Sequence, residues 1–278
     1  MTTELKTGAR RIAHGREAEI FEHGEGRVIR LYREGHSLAE AEKQALILRA
    51  AAAAGVRVPA VHSVVTVDGR PGIVMERIDG DDLFEIIARK PWRVWSISSM
   101  CARLQAGLNE GRAPAELMSA RDWHRDHMER AADVPPGAKE AALARLDTLP
   151  DGGRLCHGDF HPGNVMLAAE GPVVIDFSNA TRGSPEADFA RTMMMLHLGD
   201  PPPGTRWLIR FGARFARSLM IGTYNRAYRK ARTVDEDLFR AWQLPVAVAR
   251  LFENIPSERP QVLRLIANLL VRDGIAPA

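Results

Sequence analysis

The segment CHGDFHPGNV, Cys156 to Val165, crowds two histidines, an aspartate, an asparagine and a Pro-Gly turn into ten residues. Pro162-Gly163 interrupts any helix or strand, so these polar side chains belong to a loop. Three readings compete for it. Strand-like alternation places His157, Asp159 and His161 on one side as a candidate metal site, with His124 and His127 of WHRDH available to complete it. A polar loop without chemistry is the second reading. The third is phosphoryl transfer, in which an aspartate takes the acceptor hydroxyl's proton and an asparagine five positions on holds a metal ion. Asp159 and Asn164 have that spacing.

The residues just beyond the loop favour the third reading. Phosphoryl transfer needs another carboxylate on the metal, because charge builds on the transferred group. In GPVVIDFS, Gly171 to Ser178, a short apolar strand delivers Asp176 to its polar end. A structural metal site, by contrast, wants a fourth ligand close by, and the loop alone offers three.

Taken together, LCHGDFHPGNVML and GPVVIDFSNATRGSPEADFART resemble the aminoglycoside phosphotransferase family, relatives of choline kinases and eukaryotic protein kinases. GRPGIVMERIDG resembles the family's hinge strand and linker, and AAGVRVPAV the turn after its N-lobe helix. The resemblance implies an α+β, bilobal protein kinase-like fold, with a small β-rich N-lobe carrying one main helix and a larger, mostly helical C-lobe. It also implies ATP and Mg2+ as cofactors and a hydroxyl-bearing small molecule as acceptor. By the same resemblance Asp159 is the base or substrate-orienting carboxylate, Asn164 and Asp176 hold the metal, and His157 and Asp188 brace the loop. His161 supports the loop. Adenine is expected against Met75, Glu76 and Ile78, using the backbone of 76 and 78, so that side-chain identity at 76 is nearly free.

The residue pattern draws a matching boundary. AEIFEHGEGRVIRLYRE reads as two strands around a turn at Gly24 to Gly26, and VHSVVTVDGRPGIVMERI as two more around Asp68-Gly69. Between them SLAEAEKQALILRAAAAAG reads as a helix with Ser37 as N-cap and Gly55 just past its end. From Asp79 on most of the chain reads as helices. The expected parts are therefore 1–78, the nucleotide-binding lobe, and 79–278, the catalytic and substrate-binding lobe.

The first part departs from the family pattern. Its nucleotide loop, AHGREAEIF, has one glycine, Gly15. RVIRLYR carries Arg30 where the family usually has lysine. Alternation puts Val28 and Arg30 on one strand face, Val28 to roof adenine and Arg30 to reach phosphates. Glu42 is the expected acidic partner of Arg30, although counting back from Gly55 puts Gln44 at the family's glutamate position. These departures keep two alternatives open: a degenerate nucleotide-binding or regulatory kinase homologue, and a His/Asp metal-dependent hydrolase.

The 278 residues carry a formal charge of only +3, too little to point to nucleic acid. No stretch is long and apolar enough to span a membrane, and the start lacks a secretory h-region. Cys101 and Cys156, the only cysteines, encode no disulfide framework, so a cytoplasmic enzyme is expected. Residues 201–278 carry more arginine than acid, which fits a neutral or partly anionic acceptor better than a polycationic aminoglycoside. Residues 206–220 read as an amphipathic helix: Leu208, Phe211, Phe215 and Leu219 face the core, and Arg206, Arg210, Arg214 and Arg217 face solvent.

Overall fold

The computed structural model describes residues 10–15, 17–198 and 207–275, leaving aside the side chains of residues 14 and 207–213. The chain opens on a five-stranded antiparallel sheet of β1 (Arg11–His14), β2 (Ala18–Glu22), β3 (Arg27–Tyr32), β4 (Val61–Val67) and β5 (Arg70–Glu76), in spatial order β1-β2-β3-β5-β4. The β4–β5 hairpin closes through Asp68 and Gly69, whose φ of 48° and 78° supply the two left-handed residues a tight two-residue turn requires.

Helix α1 (Leu38–Ala53) starts at a capping box. Ser37 Oγ accepts the Glu40 amide at 3.3 Å, and Glu40 Oε2 accepts the Ser37 amide at 2.6 Å. Its inward stripe, Ala41, Gln44, Ala45, Leu48 and Ala51, recurs every three or four residues. Ala41 packs with Tyr32 and Ile73 against the sheet, while Ile29 and Leu31 on the other face of β3 pack with Val65, Val67 and Val74.

Beyond β5 the chain crosses close to the second part of the molecule. A Cβ at Gly80 would lie 2.4 Å from the Leu167 carbonyl oxygen, so only glycine fits there. A three-stranded sheet joins β6 (Asp81–Asp82), β8 (Val165–Ala168) and β9 (Gly171–Val174), and β7 (Arg154–Cys156) pairs with β10 (Thr181–Gly183). Around them stand α2 (Leu83–Arg89), α3 (Val94–Leu108), α4 (Ala120–Arg130), α5 (Ala138–Asp147), α6 (Pro185–Leu198), α7 (Trp207–Ala231), α8 (Glu236–Arg250) and α9 (Arg259–Arg272). One continuous apolar core runs from Trp242 through Phe189 and Phe177 to Ile47, Leu48 and Val58 at the foot of the first sheet. Trp242 is fully buried, and truncating a side chain of that size to alanine costs about 3–5 kcal/mol. Among the described residues no helix is long and apolar enough to cross a membrane. Cys101 and Cys156 are free and buried.

Two expectations from the sequence are corrected. Phe215 and Leu219 of α7 are 66% and 40% exposed, so they do not face the core. The helix is instead oriented by its second half, where Tyr224 and Tyr228 are buried and hydrogen-bonded to α3. Leu208, Phe211, Arg206 and Arg210 lie outside the described side chains. Among the described residues His124 and His127 do not join the loop histidines in a metal site. The His124 ring is buried between Trp123 and Trp242, and His127 stacks on Trp123 at 3.7 Å and meets Phe252 edge-on. Each donates its Nδ1–H to a carbonyl one turn back, Ala120 or Trp123.

Candidate active site

The 157–164 loop leaves β7 at its buried end and reaches a short 3₁₀ turn, Pro162–Asn164, before β8. His157 is fully buried beneath it. Its Nδ1 accepts the Asp159 amide at 3.3 Å, so Nε2 carries the proton and donates to the Ile175 carbonyl at 3.1 Å. Burial lowers the pKa of His157 and keeps the ring neutral. With both nitrogens committed to backbone, His157 is not a metal ligand. Among the described residues no three His, Cys, Asp or Glu side chains converge as a metal site. That removes the histidine metal centre.

Gly158 adopts φ 75°, and a Cβ there would collide with the Asn179 carbonyl oxygen at 2.1 Å. Its amide donates to Asp188 Oδ1 at 2.8 Å. The other Asp188 oxygen accepts Gln105 Nε2 at 2.9 Å and Asn109 Nδ2 at 3.0 Å. Tyr224 and Tyr228 in turn donate to the Gln105 and Asn109 side-chain oxygens, both at 2.7 Å. The carboxylate is buried with no ion pair among the described residues, and its charge is met by three N–H donors. Arg191, three residues on along α6, donates Nε–H to the Gly158 carbonyl and ion-pairs with Glu253 at 2.6 Å. These contacts fix the loop backbone from below.

Asp159 thereby stands at the loop's rim with its side chain 27% exposed. His161 accepts the Gly163 amide through Nδ1 at 3.1 Å, so its Nε2–H faces Asp159 Oδ2 at 3.7 Å. Burial pushes the Asp159 carboxyl up, but the His161 contact and the Arg191 charge outweigh it and hold it at about 2. The carboxylate is therefore ionised at neutral pH. Asn164 donates Nδ2–H to the Asp159 carbonyl at 2.8 Å and to its Oδ2 at 3.4 Å, which leaves the amide oxygen for another partner.

Asp176 follows β9 in a left-handed conformation, φ 59°, strained for a residue with a Cβ. The Asn164 carbonyl accepts the Ile175 amide at 2.9 Å, so Asp176 and Asn164 sit at the same end of paired strands. Asp176 is 49% exposed, with Ser178 donating to its Oδ1 at 2.6 Å. An exposed carboxylate beside an amide oxygen is a hard-oxygen donor set that fits Mg2+, which keeps several of its waters.

Arg30 meets this group from the sheet. It donates to Ser178 Oγ at 3.0 Å and lies 3.9 Å from Asp176 and 3.8 Å from Glu17. Glu42 is not its partner. The inward stripe of α1 passes through Ala41 and Gln44, which leaves Glu42 exposed. Gln44 is the buried side chain at that level, and its Nε2 has no partner among the described residues. Val28 is buried on the same face of β3 as Arg30. Gly15 lies in the exposed β1–β2 turn, where its amide donates to Ala18 and its carbonyl accepts Arg33.

The Glu76 side chain has partners of its own within the fold. Glu76 accepts Arg57 at 3.2 Å and the Ala60 amide at 3.2 Å, and Arg57 reaches on to Glu170. Met75 and Glu76 end β5, and Ile78 lies in the linker beyond it.

Residues 8–225 match the model of the "Phosphotransferase enzyme family". The chain belongs to that family. No curated protein matches this phosphotransferase by sequence. Among solved structures it is similar to a thermostable mutant of aminoglycoside phosphotransferase APH(4)-Ia in ternary complex with AMP-PNP and hygromycin B, with TM-score 0.59 and 14% identity over 96% of this chain and 92% of that one. A putative fructosamine-3-kinase from Haemophilus somnus 129PT gives TM-score 0.61 at 13% identity, covering 94% and 90% of the two chains. Macrolide 2'-phosphotransferase MphH from Brachybacterium faecium gives 0.57 at 18%, covering 94% and 93%. At such identities the likeness shows the fold, the α+β kinase-like one expected from the two motifs.

Sequence reasoning missed Arg191, Gln105, Asn109, Tyr224 and Tyr228. Arg191 had a signal, since it follows Asp188 by three positions and so shares its helix face. The other four are ordinary polar residues on helices distant in sequence, and only the fold brings them under the loop.

Proposed function

We propose that the protein is a kinase that moves the γ-phosphoryl group of ATP onto a hydroxyl of a small molecule. The observation that carries this reading is the fixed, ionised Asp159 carboxylate beside Asn164, with Asp176 and Arg30 meeting at the same cleft. Nucleotide binds between residues 1–78 and 79–278, with adenine under Val28 and against the backbone of Met75 to Ile78. Gly15 lies over the phosphates. Asn164 and Asp176 would hold Mg2+, which would offset the charge on the phosphate oxygens.

Arg30 then leaves Asp176 for the phosphates, where its planar fork suits their oxygens. Asp159 aligns the acceptor hydroxyl and takes its proton late, because a carboxylate this acidic does not deprotonate an alcohol beforehand. The neighbour bound to AMP-PNP supports the nucleotide. Neighbours named for an aminoglycoside, a macrolide and fructosamine use different acceptors, so the acceptor class is read from this chain's own charge as neutral or partly anionic. The two free thiols fit a cytoplasmic enzyme.

Asp159→Asn tests the reading. With ATP, Mg2+ and an acceptor found from a panel of hydroxylated metabolites, ADP release falls roughly a hundredfold or more while ATP still raises the melting temperature. Wild-type turnover in this variant would remove Asp159 from the mechanism.

A further inference from the structure

The first half of α7 departs from the rule that an amphipathic helix buries its apolar face. Phe215 and Leu219 face outward, while Arg214 and Arg217 line a cavity of about 600 Å³ between the end of α6, this part of α7, and α9. The cavity also takes His197 from α6 and Arg264 and Asn268 from α9. Three helices thus each bring a basic side chain to one hollow, and no carboxylate lines it among the described residues. Tyr224 and Tyr228, bonded to Gln105 and Asn109 at matching spacing, set the rotation that brings Arg214 and Arg217 to the hollow.

We infer that this cavity is a second small-molecule site, one that binds a metabolite bearing several carboxylate or phosphate groups. Its volume falls within the usual range for small ligands. Guanidinium groups bind such anions through paired charge-assisted hydrogen bonds, and Arg214 and Arg264 bring theirs to the hollow from two different helices. His197 donates Nδ1–H to the Met193 carbonyl at 2.6 Å, which fixes its ring at the end of α6. The site is separate from the phosphoryl-transfer loop. His197 lies nine residues beyond Asp188 on α6, roughly 13 Å along the helix axis.

Isothermal titration with citrate and with pyrophosphate tests this, without Mg2+, at constant ionic strength, and with sorbitol as the uncharged control. Wild-type protein and Arg30→Ala, altered at the nucleotide cleft, bind at least one of the two anions alike and bind no sorbitol. Arg214→Gln and Arg264→Gln each weaken that binding about tenfold or more, the scale of one lost charge-assisted contact, with unchanged melting temperatures in the absence of ligand. Equal affinity in wild type and both glutamine variants would overturn the site, as would no binding of either anion by wild type at millimolar concentration. No turnover enters this measurement, so its failure leaves the kinase reading standing, and the failure of that reading leaves this site standing.

Discussion

The 157–164 loop and strand β3 meet at Asp176, and the two are held in contrasting ways. Behind the loop, Asp188, Gln105, Asn109, Tyr224 and Tyr228 form a buried network whose hydrogen bonds to the Asp188 carboxylate are all 3.0 Å or less. In front, Arg30 reaches exposed carboxylates at 3.8 and 3.9 Å, the edge of ion-pair range. Buried, fully satisfied polar groups rigidify a structure, whereas exposed ion pairs contribute little and exchange partners easily. On the proposed reading, the side that would position the acceptor hydroxyl is locked, and the side that would grip phosphate is free to rearrange around its ligand.

Asp188→Ala strikes the locked side hardest. It strips three N–H donors of their acceptor and costs roughly 3–5 kcal/mol in urea unfolding, with turnover falling alongside. A loss below about 1 kcal/mol would mean that the network is not what holds the loop.

The next effect is a dependence on pH. Burial drops His124 from its ordinary 6.5 to about 3, so the unfolded chain takes up the proton first as pH falls. Stability is then complete above pH 6.5 and declines by about 1.4 kcal/mol per unit towards pH 3. His124→Asn keeps a donor for the Ala120 carbonyl and shallows that slope, while His127, also lowered by burial, retains part of it. An unchanged slope in urea titrations between neutral and acid pH would show that His124 is solvated.

A smaller change is expected of Tyr228→Phe, which leaves the Asn109 side-chain oxygen unpaired two contacts away from the loop. About 1–2 kcal/mol of stability goes, and the fall in turnover exceeds any change in ATP affinity. Turnover equal to wild type would confine the lock to Asp188 itself.

Arg30→Ala has the least effect on folding, within about 0.5 kcal/mol, as exposed pairs do. Its effect appears in binding instead: ATP affinity weakens about tenfold, and Arg30→Lys recovers much of it. A destabilisation as large as that of Asp188→Ala would erase the contrast between the two sides.

How much could be read from residues alone depends on the range of the interaction. The two hairpins, the Ser37 cap and the loop carrying Asp159 and Asn164 are written in neighbouring residues, through turn glycines, capping spacing and motif spacing. The partner of Arg30 was not, because Asp176 and Ser178 come from the segment after β9, far along the chain, and displace the local choice, Glu42. The outward turn of Phe215 was hidden for a similar reason. Periodicity shows that α7 has two faces, but the rotation is set by tyrosines bonded to another helix. The contacts of Glu76 with Arg57 and the Ala60 amide are likewise made by the fold and have no local signal.

The two cysteines offer a stopwatch. Burial pushes the Cys101 thiol up to about 12 and Cys156 well above its ordinary value, so the native protein holds almost no thiolate for an alkylating reagent to attack. Cys156 ends β7, directly before the loop, and Cys101 lies inside α3. If Cys156 is alkylated faster than Cys101, the loop and its strand lift away while the helical core stays shut. Equal rates mean that the molecule opens as a whole. Without any introduced probe, the chain reports how often its stiffest part comes apart.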